Sequence, residues 1–378
     1  MTTAVDHLLE LIRLPSVSSL SNRQVIEYAE NVLHAKGWGT RRLMYKDSSG
    51  EEKINLIAAP PNQNVADRDV DLALFCHTDT VPFSIDWTNA LDPFVEGEKL
   101  RGCGACDVKG FMACLLAAAD QIEPELFVDG LRIVLTADEE IGCIGASHLI
   151  AADAVRPKRI VIGEPTSLHV ARAGKGYCLA KVTVVGKEAH SAHPNMGASA
   201  IFAAARVISA IEEFSEELAK ERHNFFEPGF TTINVGTIHG GTAKNIVPGE
   251  CEFIVEWRPI PGQSADKVLN GVCEITEKLR LVDPRFVYRV TTLRTQGGFE
   301  TPENSQLVRA IEEFTGQPAV SIPFGSEASL LSAIAEEVVV IGPGDMRCST
   351  ICPSILSTNT RTPSRPCTKR RPMPRCVA

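Results

Sequence analysis

Three short apolar runs in this chain share one construction. Residues 72–75, 131–137 and 159–163 are each too short for a stable helix, and each ends in a histidine or carboxylates: His77 and Asp79, then Asp138, Glu139 and Glu140, then Glu164. Helical patterns lie between them, over residues 111–119 and from Gly142 and Gly145 through Ala151. Strands alternating with helices constrain the chain to an α/β fold, a mainly parallel sheet flanked by helices. Ligands of such sheets bind at the carboxyl ends of the strands. His77, Asp107, Glu139, Glu140 and Glu164 all fall at that edge or on loops leaving it. Their convergence says more than any one of them.

Taken singly, each has a second reading. His77 and Asp79, two apart at a strand end, point the same way, so the histidine can bind a metal while the aspartate holds its other nitrogen. The alternative is a capped turn with a solvated histidine. Asp107 stands just before a helix and suits either a ligand or an N-cap. Of Glu139 and Glu140, one can ligate while the other faces a bound water; equally, both suit the start of a helix, where negative charge is favoured. Cys103 and Cys106 form a C-x-x-C with no second pair, and read as two free thiols in a tight loop.

With 378 residues the chain has room for two domains. A net charge of −9 argues against a nucleic-acid binder. No continuous apolar segment suggests a signal peptide or a membrane span, and cysteines scattered through apolar segments suit reduced thiols, so a cytoplasmic protein is expected. Near Gly174 the character changes. A strand over 177–186, a helix over 197–220, strands over 231–238 and 251–257 and a helix over 265–281 form an α+β unit. Strands over 287–293 and 338–342 are expected to return to the first sheet. The expected division is 1–173 with 287–345, an inserted domain over 174–286, and a tail over 346–378.

One histidine and several carboxylates around a sheet edge suit two divalent cations sharing a bridging carboxylate, with a spare glutamate to carry the proton in amide hydrolysis. The runs His77-Thr78-Asp79-Thr80-Val81-Pro82, Asp107-Val108-Lys109-Gly110-Phe111, Thr136-Ala137-Asp138-Glu139-Glu140 and Gly163-Glu164-Pro165-Thr166-Ser167-Leu168 resemble the dimetal site of the acetylornithine deacetylase / succinyl-diaminopimelate desuccinylase / carboxypeptidase family, in the same order over residues 5–344. The resemblance implies a catalytic domain, an inserted ferredoxin-like lid that forms a homodimer, and two zinc ions, for which cobalt can substitute. It implies Asp107 as bridging ligand, His77 and Glu164 on one metal, Glu140 on the other, Glu139 as general base and Asp79 behind His77. Within the lid it points to His190 as oxyanion stabiliser across the dimer, and to Asn245 and Arg258 as holders of a substrate carboxylate, although a surface ion pair also suits Arg258. Glu327 suits either a substrate amine or a helix cap. The implied reaction is deacetylation of an N-acyl amino acid, N2-acetyl-L-ornithine in arginine biosynthesis before others. Desuccinylation of succinyl-diaminopimelate, deacetylation of N-acetylcitrulline, dipeptide hydrolysis, or a metal-impaired non-catalytic dimer are the alternatives.

The pattern breaks after Gly342-Pro343-Gly344. Thr350 stands where the family closes its second metal site with a histidine, and all nine histidines lie at or before His239. The tail has seven Lys or Arg after Met346, four cysteines and no acidic residue. Such a composition has little means of burying a core. An unstructured tail is expected, the product of a shifted reading frame.

Overall fold

The computed structural model describes residues 2–97, 99–123, 129–345 and 355–357. Its larger sheet has nine strands. Asp69–His77 lies near the middle and pairs in parallel with Leu131–Thr136 on one side and Arg156–Ile162 on the other. Glu337–Val340 adds in parallel to Arg156–Ile162. Antiparallel strands close the flanks: Glu52–Ala59 and Gly39–Lys46 at one end, Ala171–Gly174 and Phe299–Glu300 at the other.

Both faces of this sheet are covered, as the short uninterrupted apolar runs require. Side chains alternate between two cores. Leu131, Ile133 and Leu135 pack with Leu8, Leu11 and Ile12 of helix Ala4–Arg13, Val25 and Ile26 of Arg23–His34, and Met112 and Leu116 of Lys109–Gln121. Val134 points the other way, with Phe75, Ile57 and Leu149. Thr3 caps the first helix in a reciprocal box with Asp6. Asn22 stands at the N-cap of the second, but its side chain makes no capping bond. It donates instead to Ile54 O at 2.7 Å and Thr78 Oγ1 at 2.8 Å, tying that helix to the segment after His77.

The second sheet has four antiparallel strands. Their order is Thr232–Gly240, Glu250–Arg258, Cys178–Val185, Val287–Arg294, with helices Ala200–Leu218 and Lys267–Val282 packed on one face. This is the ferredoxin-like βαββαβ arrangement. The expectation that residues 287–293 return to the first sheet is corrected: Val287–Arg294 pairs with Cys178–Val185 of the second. The short connection from helix Lys267–Val282 delivers it directly beside that strand, and Tyr288 and Val290 pack onto the lid core. The second unit therefore runs through Arg294. The other expected return is found, at Glu337–Val340.

Most of the tail lies outside the described residues, as does Thr350. Ile355–Ser357 is the exception: it pairs antiparallel with Lys99–Arg101, so the expectation of a wholly unstructured tail is corrected there.

Candidate metal centre

His77 is the last residue of its strand and is buried. Its Nδ1 lies 3.0 Å from the carbonyl oxygen of Asp79, which can only accept, so Nδ1 carries the proton and Nε2 is turned to the cleft. Nε2 stands 3.1 Å from Asp107 Oδ1. Burial opposes protonation of the ring, yet the bonds to Asp107 and Asp79 and the charge of Glu164 carry its pKa well above the ordinary value. The Asp79 carboxylate is 3.6 Å from Nδ1 and has other work. It accepts Ser18 Oγ at 2.6 Å and the backbone N–H groups of Glu139 at 3.0 Å and Glu140 at 3.3 Å. The expected aspartate behind the histidine is present, but the nitrogen is held by its carbonyl rather than its side chain.

Ligand atoms of His77, Asp107 and Glu140 all lie within 4.8 Å of one another. Asp107 does not cap a helix; Val108 is the N-cap residue, with no side-chain cap bond. Nor do the glutamates decorate a helix start, because that helix begins at Ile144 beyond a turn. Burial, and then the Asp107 charge, push Glu140 up to about 8. Its Oε1 is buried with no partner. Glu139 is also raised, by burial first, with His77 opposing. Glu164, buried at the end of the neighbouring strand, is raised by burial and by Asp107; it stands outside the tight trio but feels the same groups. Several acids crowded round one imidazole, one of them with a partnerless buried oxygen, are what a divalent cation relieves. The residues present fit such an ion.

Residues not anticipated from the sequence hold the Glu139–Glu140 corner. Asp138 adopts φ +56°. Its carboxylate receives buried Lys53 Nζ at 2.8 Å and Tyr45 Oη at 2.8 Å, which offsets the cost of that left-handed backbone. Asn55 accepts Ala137 N at 3.0 Å and donates to Gly145 O at 2.9 Å. Gly145 is required there, since a Cβ would stand 2.4 Å from Ala137 O. Cys143 Sγ donates to Glu139 Oε1 at 3.3 Å. The available signal was polar residues inside an apolar run: Lys53 and Asn55 interrupt a buried strand.

The lid residues fall into two groups. His190 lies in a small ribbon, Ala189–His190 against Ile246–Val247, beside Asn245, whose carbonyl accepts Ser191 N at 3.0 Å. Both are exposed, and among the described residues neither contacts the metal cluster. Arg258 pairs with Glu256 at 2.7 Å and stacks on Tyr177 at 4.6 Å. Glu327 occupies the N-cap of Ala328–Leu331 without a capping bond, so the capping alternative fails. It is fully buried, and burial followed by the Glu139 charge pushes it up to about 8, with the Thr136 hydroxyl opposing.

Residues 172–282 match the peptidase dimerisation domain, and residues 55–163 match peptidase family M28. The chain is 42% identical to an acetylornithine deacetylase of Myxococcus xanthus over 90% of this chain and 89% of that protein. It is 34% identical to one of Pectobacterium carotovorum over 78% and 76% respectively. Solved structures share the fold: a tripeptidase of Staphylococcus aureus (21% identity, TM-score 0.73, 94% of this chain and 93% of that one) and an M20 family metallo-carboxypeptidase of Sulfolobus solfataricus (18%, 0.74, 95% and 95%). No helix among the described residues is long and apolar enough to cross a membrane. With so much of its length shared at such identity, the chain belongs to the acetylornithine deacetylase family of M20 metal-dependent hydrolases.

Proposed function

We propose that the protein removes the acetyl group from N-acetyl amino acids, with N2-acetyl-L-ornithine as its substrate. The observation that carries this reading is the trio His77, Asp107 and Glu140 beside a glutamate, Glu139, fixed by the Asp79 carboxylate. We infer two zinc ions, with cobalt as a substitute, which His77, Asp107, Glu140 and Glu164 would hold. The metal ions supply Lewis-acid activation of water and of the scissile carbonyl. Glu139 takes a proton from the attacking water and delivers it to the departing amine nitrogen. Its raised pKa suits a group that must both accept and return a proton. His190 of the second subunit donates to the carbonyl oxygen as charge grows on it. The dimerisation domain supports a homodimer through the lid. Glu327 offers a buried carboxylate that favours a cationic substrate side chain. The eight described cysteines are all free, which suits the reducing cytoplasm.

The test is hydrolysis of N2-acetyl-L-ornithine, N-acetylcitrulline, N-acetylmethionine and succinyl-diaminopimelate by zinc-loaded protein. A preference for the acetylornithine supports the reading; a preference for the succinyl substrate or for dipeptides would replace it. A second reading, a metal-impaired dimer, is favoured by one observation: no second histidine joins the cluster among the described residues. Zinc counted per chain separates the two, two ions for the enzyme against one or none.

A further inference from the structure

Cys143 stands where neither a helix nor a turn would select it. It is the N-cap residue of Ile144–Ala151, a position that Ser, Thr, Asp and Asn favour because their side chains bond the first free N–H groups. Its side chain makes no such bond, and its backbone is left-handed, at φ +56°. That conformation suits glycine and, less well, asparagine or aspartate. Neither capping nor backbone freedom accounts for a cysteine.

What the residue does is grip Glu139 at two points. Cys143 N donates to Glu139 O at 2.9 Å, closing the turn that follows the glutamate. Its thiol donates to Glu139 Oε1 at 3.3 Å. The sulfur is approached from the other unit as well: Arg294, the last residue of its lid strand, brings Nη2 to 3.6 Å from Sγ. A thiol has one hydrogen and weak acceptor capacity. With a lone pair facing the guanidinium, that hydrogen is left for the carboxylate. The group is fully buried, and burial followed by the Glu139 charge pushes its pKa well above the ordinary value, with Arg294 opposing, so it remains a thiol.

We propose that Cys143 is a positioning residue for the hydrolysis: its thiol fixes Oε1 of Glu139, so that Oε2 takes the proton from water and returns it to the amine nitrogen. This rests on the deacetylase reading above. The role favours sulfur. A cation or a stronger donor on the carboxylate would lower its basicity. A weak S–H donor sets the orientation and leaves the base able to accept a proton. Misplacing a reacting oxygen lowers the rate of the chemical step without weakening substrate binding.

The experiment measures kcat, KM and zinc per chain for the wild type, Cys143→Ala and Cys143→Ser on N2-acetyl-L-ornithine, and repeats the alanine substitution in a Glu139→Ala background. Cys143→Ala is expected to lower kcat about 10-fold, with KM within about twofold and zinc content unchanged. Cys143→Ser, which keeps a donor, recovers part of the loss. On Glu139→Ala the same substitution changes the residual rate by less than about twofold, because the group it positions is gone. The S–H stretching band is a readout that needs no turnover. Subtracting the infrared spectrum of Cys143→Ala from that of the zinc-loaded wild type isolates the band of this thiol. It is expected at lower frequency than the band isolated in the same way on Glu139→Ala. Thermal melting confirms folding; should Cys143→Ala not fold, Cys143→Ser supplies the difference spectrum and a partial loss of kcat. A kcat of Cys143→Ala near the wild type, an equal loss on both backgrounds, a serine variant no better than alanine, or a fall in zinc that accounts for the lost rate overturns the proposal. A wild type inactive on the acetylornithine defeats the deacetylase reading, and the band then decides the role of Cys143. A lower frequency with Glu139 present upholds it, and the same frequency with and without Glu139 overturns it.

Discussion

The Asp79 carboxylate accepts the backbone N–H of Glu139 at 3.0 Å and that of Glu140 at 3.3 Å. One side chain at the end of the His77 strand thus fixes the peptide bearing both glutamates, while its own carbonyl fixes the imidazole. Burial raises the pKa of Asp79, but His77 above all, with the Ser18 hydroxyl and the Glu139 N–H, holds it below the usual carboxylate range.

Replacing Asp79 with alanine releases all three. Metal affinity is expected to fall by about 10–100-fold, as for other groups that orient ligands, and turnover with it. Metal titration followed by kinetics at saturating zinc checks this. Unchanged affinity would show that Asp79 does not order the ligands.

Metal binding is expected to be pH-dependent. Burial and Asp107 push metal-free Glu140 up to about 8. A ligand must be deprotonated, so below that value the metal displaces a proton, and affinity rises with pH toward about 8. Calorimetry in buffers of different ionisation enthalpy reads the released proton directly. Proton uptake, or affinity flat from about pH 6 to 8, would contradict the assignment.

Lys109 is buried, donates to Leu14 O at 2.7 Å, and burial brings its pKa down from 10.5 to about 8. Between those values the unfolded chain binds more protons than the folded one, so stability rises with pH across that window. The penalty is complete below the folded value, on the order of 3 kcal/mol. Lys109→Met is expected to be more stable than the wild type at pH 7, with the advantage shrinking toward pH 10. Denaturant titration at the two pH values checks the sign.

His190 makes no contact with the metal cluster of its own chain among the described residues. His190→Ala is expected to lower turnover by about 10²-fold, the scale of one lost oxyanion donor. Mixed with Glu139→Ala, it should regain activity in hybrid dimers, one site of which keeps both groups. Verified hybrids without activity would place the two residues in the same subunit's site.

Much of this was legible in the sequence because it depends on strand ends. A short apolar run closed by a carboxylate announces both a buried parallel strand and the edge where ligands meet, so His77, Asp107, Glu140 and Glu164 could be gathered before any coordinates. The partner of a strand was not legible in the same way. Val287–Arg294 alternates like any half-buried strand, and alternation does not say which sheet will pair with it. Nor did spacing reveal which Asp79 atom holds His77, since a carbonyl and a carboxylate of one residue are indistinguishable in a motif. The buttress of Lys53, Tyr45 and Asp138 comes from positions scattered between 45 and 138, and only folding brings them together.

The central claim is that Glu139 moves the proton in a metal-dependent amide hydrolysis without itself holding the metal. Turnover of N2-acetyl-L-ornithine by Glu139→Gln, at a zinc content matched to the wild type, tests it most directly. The predicted result is full metal occupancy with kcat reduced by about 10²–10⁴-fold, the range for a lost general base. Activity within a few-fold of the wild type, or loss of zinc from the variant, would contradict it.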